Sequence, residues 1–344
     1  MSKKNQKQRR EEFFQKRVGN KLKSLKDYLG RKEFVAFFLA KKQAGKGTYA
    51  KILSELTNDK IVHVAVGDLV REAEKKVKDK KTRPEFIKNL KKYYKGDKSL
   101  DKVAEEFANQ TKSLQLLPTD VVMALIEQAI EKNRGHAIIL DGFPRSVEQV
   151  AMAAKMQADF GKRGLPSLFV EVNCPREVLK ARNVHRRACP ICQDPKNIKL
   201  LVTDKIEYDK KTGEFHLVCD RPECKGARMV AKQGDIEGMK KREFLQRQVD
   251  DVIGEIKNKM PHAHIAIHNS IPVDEAKASH DMTDFTEEAE LSWNPTNKEV
   301  TKKFKPMIVK DDQGRDAYSR WPEPVVVELI DKLTDWLYQK EKTK

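Results

Sequence analysis

From Phe34 onward, short apolar runs alternate with longer stretches whose apolar positions recur every three or four residues. The first run, "FVAFFLA" (34–40), is apolar at consecutive positions, which predicts a strand buried on both faces. "KIVHVAV" (60–66), "HAIIL" (136–140), "PSLFVEV" (166–172) and "HAHIAIH" (262–268) predict four more strands. Between them, helical spacing covers Thr48–Leu56, Gly67–Val77, Thr119–Lys132, Ser146–Phe160, Pro175–His185 and Glu237–Lys257. Strand alternating with helix predicts an α/β fold, a mostly parallel sheet flanked by helices in three layers. Two stretches break the alternation. Residues 75–112 are very polar with helical patches, and residues 188–234 are rich in turn residues; both read as insertions on the ligand side of the sheet. After His268 comes a polar stretch with no assigned element, and then a final helix, "PEPVVVELIDKLTDWLYQK". There is no internal repeat.

Ahead of the first strand, Phe14, Val18, Leu22, Leu25 and Leu29 recur at spacings of four and three, so residues 1–33 predict a helix with one apolar face and a basic remainder. Packing on the domain surface is one reading of that helix; contact with RNA, a ribosome or a membrane surface is the other.

Charge extends this picture. The chain has 344 residues and a formal net charge of +17, a balance suited to polyanionic partners such as nucleotides or nucleic acid. No apolar run approaches the ~20 residues of a membrane helix, and the basic N-terminus lacks a following apolar block, so no signal peptide and no membrane partner are expected. Four of the five cysteines fall in two close pairs, Cys189/Cys192 and Cys219/Cys224. Paired thiolates at these spacings suit tetrahedral Zn²⁺ rather than a disulfide framework, and a reducing, cytoplasmic location is expected. Cys174 reads as packing.

Two segments carry phosphate chemistry. In "EFVAFFLAKKQAGKGTYAKIL" (33–53), a strand runs into a loop and then into Gly45-Lys46-Gly47-Thr48 opening a helix. Backbone N–H groups at a helix N-terminus cradle phosphate, the lysine reaches the outer phosphates, and Thr48 can bind Mg²⁺ or a phosphate oxygen. In "IILDGFPRSVEQ" (138–149), Asp141 at a strand end can orient Mg²⁺. Gly142 leaves room for a flat base, Arg145 can pair a phosphate, and Gln149 can bond a base edge.

The string "LDGFPR" resembles the adenylate kinase family of nucleoside monophosphate kinases. The resemblance extends to "HVAVGDLVRE" (63–72), "REVLKARNVHRR" (176–187) and "KKREFLQRQ" (240–248), spanning roughly Phe34 to His268 and the last helix. It implies a P-loop fold with an acceptor-binding (NMP-binding) insertion and a lid that carries the zinc. The implied division is 1–33, a basic extension; 34–66, core; 67–119, acceptor-binding; 120–187, core; 188–235, zinc lid; and 236–344, core with a non-family insertion at about 269–321. It implies transfer of the γ-phosphoryl of Mg-ATP to AMP, giving two ADP, in a monomer. Gly45, Lys46, Gly47, Thr48, Tyr49, Arg182 and Arg186 would hold ATP. Val66, Arg71, Leu117, Gly142, Arg145 and Gln149 would hold AMP. Lys46, Asp141, Arg145, Arg182, Arg186 and Arg242 would form the catalytic set. An arginine-rich site without a general base is what phosphoryl transfer between two polyphosphates requires.

The chain departs from the family pattern at Ala40 and Gln43, where loop glycines are usual, and at Val66, where many members have threonine. Lys41 and Lys42 are expected to offset these losses with positive charge. The rival expectation is a kinase-like protein without activity that binds RNA or a ribosome through its basic surface.

Overall fold

The computed structural model describes residues 3–108, 118–192, 194–200, 202–231, 239–279 and 281–342. Five parallel strands form the central sheet: β1 (Val35–Leu39), β2 (Ile61–Ala65), β3 (Ala137–Asp141), β4 (Ser167–Asn173) and, much later in the chain, β9 (His264–His268). Their order is β2-β3-β1-β4-β9. The run 34–40 is buried alternately on both faces, as continuous apolarity requires. Val35, Phe37 and Leu39 enter one core, and Phe34, Ala36, Phe38 and Ala40 the other.

The first core lies under α3 (Val66–Lys78), α4 (Arg83–Lys91), α5 (Leu100–Ala108), α6 (Thr119–Lys132), α7 (Val147–Lys162) and α9 (Met239–Lys259). The second is covered by α1 (Lys3–Leu29), α2 (Lys46–Leu56), α8 (Arg176–Val184) and α11 (Pro322–Lys342). The predicted strands and helices of the alternating part are all present, with ends shifted by a residue or two; the expected start of the helix at 237–238 lies outside the described residues. None of the helices is long and apolar enough to cross a membrane, among the described residues.

Helix α1 is part of the packed body. Phe14, Leu22, Leu25 and Tyr28 are at most 2% exposed and lie in the second core. Its polar side meets acids: Arg10 pairs with Glu55 and Glu323, Arg17 with Asp281 and Asp284, and Lys21 with Asp331 and Asp335. These cations are therefore engaged within the molecule, and the surface-packed reading of this helix describes it.

The stretch after His268, without an assigned element from sequence, is structured. It holds β10 (Ser270–Pro272), α10 (Val273–Ser279), the hairpin β11 (Glu287–Asn294)–β12 (Glu299–Pro306), β13 (Ile308–Lys310) and β14 (Asp316–Ser319). Strands β10, β14 and β13 form a small antiparallel sheet that returns the chain to its starting point. One carboxylate fastens both ends. Glu328 of α11 accepts from His268 Nδ1 at 2.8 Å, from Arg320 at 2.6 Å and from Lys332 at 2.8 Å, while Arg320 also donates to the His268 carbonyl at 3.0 Å. Burial alone pushes the Glu328 carboxyl up, and His268, Lys332 and Arg320 more than reverse this, holding it at about 2. A depressed carboxyl stabilises the fold above its unfolded pKa and loses that contribution as pH falls through the folded one. Glu328→Gln is expected to cost about 3 kcal/mol at pH 7. The difference should shrink between pH 4.5 and about 2. Urea denaturation of both proteins across that range checks it.

Candidate functional site

The loop after β1 turns through Gln43, which takes φ +70°, and Gly45 at +106°, and α2 starts at Lys46. Gly45 is required twice over: its φ is left-handed, and a Cβ there would meet the Tyr49 ring at 2.6 Å. Gln43 adopts the conformation that a glycine would supply without strain. Its carbonyl accepts from Arg182 at 3.0 Å, and its side-chain oxygen is buried without a partner. The loop thus keeps its course with a side chain in a glycine's place, at a cost of about 1 kcal/mol.

Lys46 folds over this loop. Its ammonium donates to the Ala40 carbonyl at 2.9 Å and lies 3.5 Å from Asp141. Burial lowers its pKa, against the pull of Asp141. Asp141, the last residue of β3, would be raised by burial, but His63 at 3.7 Å and Lys46 hold its carboxyl below the ordinary range. Thr48 and Gly47 are exposed beside them, and a cavity of about 800 Å³ opens over Gly45, Lys46, Thr48 and Asp141. The sequence reading did not single out His63, and an isolated strand histidine carries no signal that it faces this carboxylate.

The expected charge compensation by Lys41 is corrected by the structure. Lys41 is 7% exposed, and its ammonium lies 3.1 Å from Asp250 of α9 and 3.3 Å from Asp312 in the turn before β14. Two acids neutralise it, so it adds no free charge to the cradle. Lys42 is exposed and lines the cavity.

On the β2/β3 side, Arg71 and Arg145 converge. A Cβ on Gly67 would lie 3.3 Å from an Arg145 nitrogen and 3.4 Å from an Arg71 nitrogen. Gly142, at φ +98°, could not carry a Cβ without meeting Arg145 at 2.7 Å. Gln149 accepts from the Arg145 backbone N–H at 2.8 Å and reaches Thr119 at 3.4 Å. Arg71 pairs with Asp68 on the same helix face. Val66 is 2% exposed, its side chain in the first core. Leu117 and the side chain of Arg242 lie outside the described residues.

On the β4/β9 side, a buried hub not marked from sequence fixes Arg182. Asn269, fully buried just after β9, accepts from Arg182 at 3.1 Å and from the Cys174 thiol at 3.4 Å, and donates to the Tyr49 hydroxyl at 2.6 Å. Burial raises both Tyr49 and Cys174, the thiol to about 11, so neither ionises in the neutral range. Cys174 is a packing residue, as expected. Arg186 is half-buried at the start of β5 (Arg186–Ala188), at the mouth of the cysteine segment.

That segment adds β6 (Pro195–Asn197), β7 (Ile206–Asp209) and β8 (Glu214–Leu217). It brings the sulfurs of Cys189, Cys192, Cys219 and Cys224 within 4.8 Å of one another, a donor set compatible with one tetrahedral metal ion. The hairpin β11–β12 straps it from outside. Trp293 stacks on Tyr208 at 5.0 Å, Lys302 donates to the Thr203 carbonyl at 2.9 Å, and Leu291 and Val300 pack against the cysteine cluster.

A phosphate loop, a strand-end carboxylate and flanking arginines along the carboxyl edge of a parallel sheet define a P-loop nucleotide-binding protein. No protein-family model matches the chain. Individual relatives do. An adenylate kinase of Thermotoga petrophila is 30% identical over 201 residues, covering 58% of this chain and 74% of that protein. Adenylate kinases of Caldicellulosiruptor saccharolyticus and Clostridium tetani are 29% and 26% identical, each match covering 63% of this chain and 83% of the relative. The chain belongs to the adenylate kinase family.

Gln43→Gly should relieve the left-handed strain and raise stability by about 1 kcal/mol. Thermal unfolding reads this as a rise in midpoint; a fall would mean that the buried amide stabilises the loop.

Proposed function

We propose that the chain is a nucleoside monophosphate kinase that transfers the γ-phosphoryl group of Mg-ATP to AMP. The observation that carries this reading is the placement of two cationic groups along the carboxyl edge of the sheet, one on the loop after β1 and one after β2 and β3. Lys46 and the helix N-terminus of α2 stand over the cradle, and Arg71 and Arg145 converge at Gly67.

Lys46 would exchange its bonds to the loop carbonyls for the outer donor phosphates. Arg71 and Arg145 would hold the acceptor phosphate, with Gln149 at the edge of its base. Arg182 and Arg186, with Arg242, would neutralise the charge that develops on the transferring group. The acceptor is already an anion, so no base is needed and catalysis rests on positioning and electrostatics. Asp141 and Thr48 provide a carboxylate and a hydroxyl beside Lys46, a donor pair suited to Mg²⁺ arriving with the nucleotide. When bound, the ion would supply positive charge that offsets the negative charge of the phosphates. The acceptor-binding segment and the cysteine segment would act as covers that exclude water. Zn²⁺ held by the four cysteines would fold the second cover.

Lys46→Ala should lower kcat/KM for ADP formation by about 1000-fold, with thermal stability and secondary structure kept. Unchanged turnover in a coupled ADP assay would sink the role given to this lysine. Replacing Cys189 and Cys192 together by serine should abolish one equivalent of bound zinc and lower the melting temperature. Elemental analysis of the purified chain checks the first; a wild-type preparation without zinc would remove the metal from the account.

A further inference from the structure

A second cavity, of about 490 Å³, continues the one over the phosphate loop. Both include Gln43, Gly45, Thr48 and Pro322 in their walls. The second runs away from the acceptor arginines. Arg71 and Arg145 follow β2 and β3, whereas this cavity touches Arg182 and Arg186 after β4 and Trp321 at the end of the insertion after β9. With β1 between the two groups of strands, this cavity lies on the side of the loop away from Arg71 and Arg145 and is open to a group held there by its phosphates.

Its walls suit a planar heterocycle. Pro195 and Leu200 come from the cysteine segment, and Thr286 and Trp321 from the insertion. A volume of several hundred Å³ with apolar walls and a few polar groups is the usual form of a small-molecule pocket. The backbone that carries Trp321 is held by its neighbours. Its backbone N–H donates to the Asp284 carbonyl at 3.0 Å, and the preceding Arg320 is clamped by Glu328 at 2.6 Å and by the Pro324 carbonyl at 2.8 Å. A cavity-lining indole on a fixed backbone can stack on a base at a reduced ordering cost.

We infer that the insertion forms one wall of the donor-nucleotide site, and that Trp321 stacks on the base of the bound nucleoside triphosphate. This rests on the proposed donor role of the phosphate loop. It assigns a binding residue to a part of the chain that has no counterpart in the family resemblance.

The test uses the full-length chain without acceptor. The chain has three tryptophans, so Trp293→Phe with Trp336→Phe leaves Trp321 as the only indole emitter. ATP should quench or shift that emission; inorganic tripolyphosphate should displace ATP without doing so itself. Trp321→Ala should weaken ATP about tenfold, a typical stacking contribution, and leave tripolyphosphate affinity unchanged. Trp321→Phe, which keeps an aromatic face, should bind ATP within about threefold of wild type. The inference is overturned if ATP binds without changing the emission, if Trp321→Ala loses ATP and tripolyphosphate equally, or if ATP does not bind. ATP binding with the emission change but without phosphoryl transfer would remove the proposed activity and leave the pocket. Transfer with an unresponsive Trp321 would do the reverse.

Discussion

Asn269 is the point on which the three working parts of the molecule meet. Fully buried just past β9, its amide joins Tyr49 behind the phosphate loop, Arg182 on α8 and the Cys174 thiol. Its backbone accepts from Arg320, which closes the insertion, at 2.8 Å. A buried amide with partners at both ends of its group is expensive to disturb, because each broken bond leaves a desolvated polar atom. The phosphate loop, the stem of the cysteine segment and the insertion are thereby held in one register. Arg182 bonds simultaneously to Asn269 and to the Gln43 carbonyl, so the same network supports the loop at its one strained non-glycine position.

The strand order then decides where charge can gather. The loop follows the central strand β1, Arg71 and Arg145 follow β2 and β3, and Arg182 and Arg186 follow β4. Cations therefore approach the loop from two sides without crowding one another. Several that do not face the cleft are paired within the fold, as Lys41 is with Asp250 and Asp312 and as Arg10, Arg17 and Lys21 of α1 are with acids of α2, the insertion and α11.

The parts legible in sequence are those whose signal is local. Consecutive apolar residues at 34–40 mean a strand covered on both sides, and Asp141 at a strand end followed by Gly142 fixes a turn into the cleft. The cysteine spacing likewise announced a cluster that the fold closes to within 4.8 Å. What was not legible depends on distant partners. Lys41 looks like a free loop cation until α9 and the turn before β14 are placed against it. Asn269 is an ordinary polar residue after a strand until Tyr49 and Arg182 arrive. The hairpin β11–β12 escaped because the face it turns to the cysteine segment mixes Ala289, Leu291, Trp293 and Val300 with Lys302, which breaks the apolar alternation. The left-handed φ of Gln43 is legible only through the family resemblance, which places it where a loop glycine is usual; the residue itself carries no such signal.

The central claim is that one cleft holds two nucleotides and moves a phosphoryl group between them, with adenine favoured on the acceptor side through Gln149. The most direct measurement is phosphoryl transfer by the purified chain from Mg-ATP to AMP, CMP, UMP and GMP in turn, with nucleotides separated and quantified. The account predicts two ADP formed for each ATP consumed with AMP, and much slower transfer to the other three. Absence of transfer to any monophosphate, in a preparation that is folded and binds ATP, would contradict it.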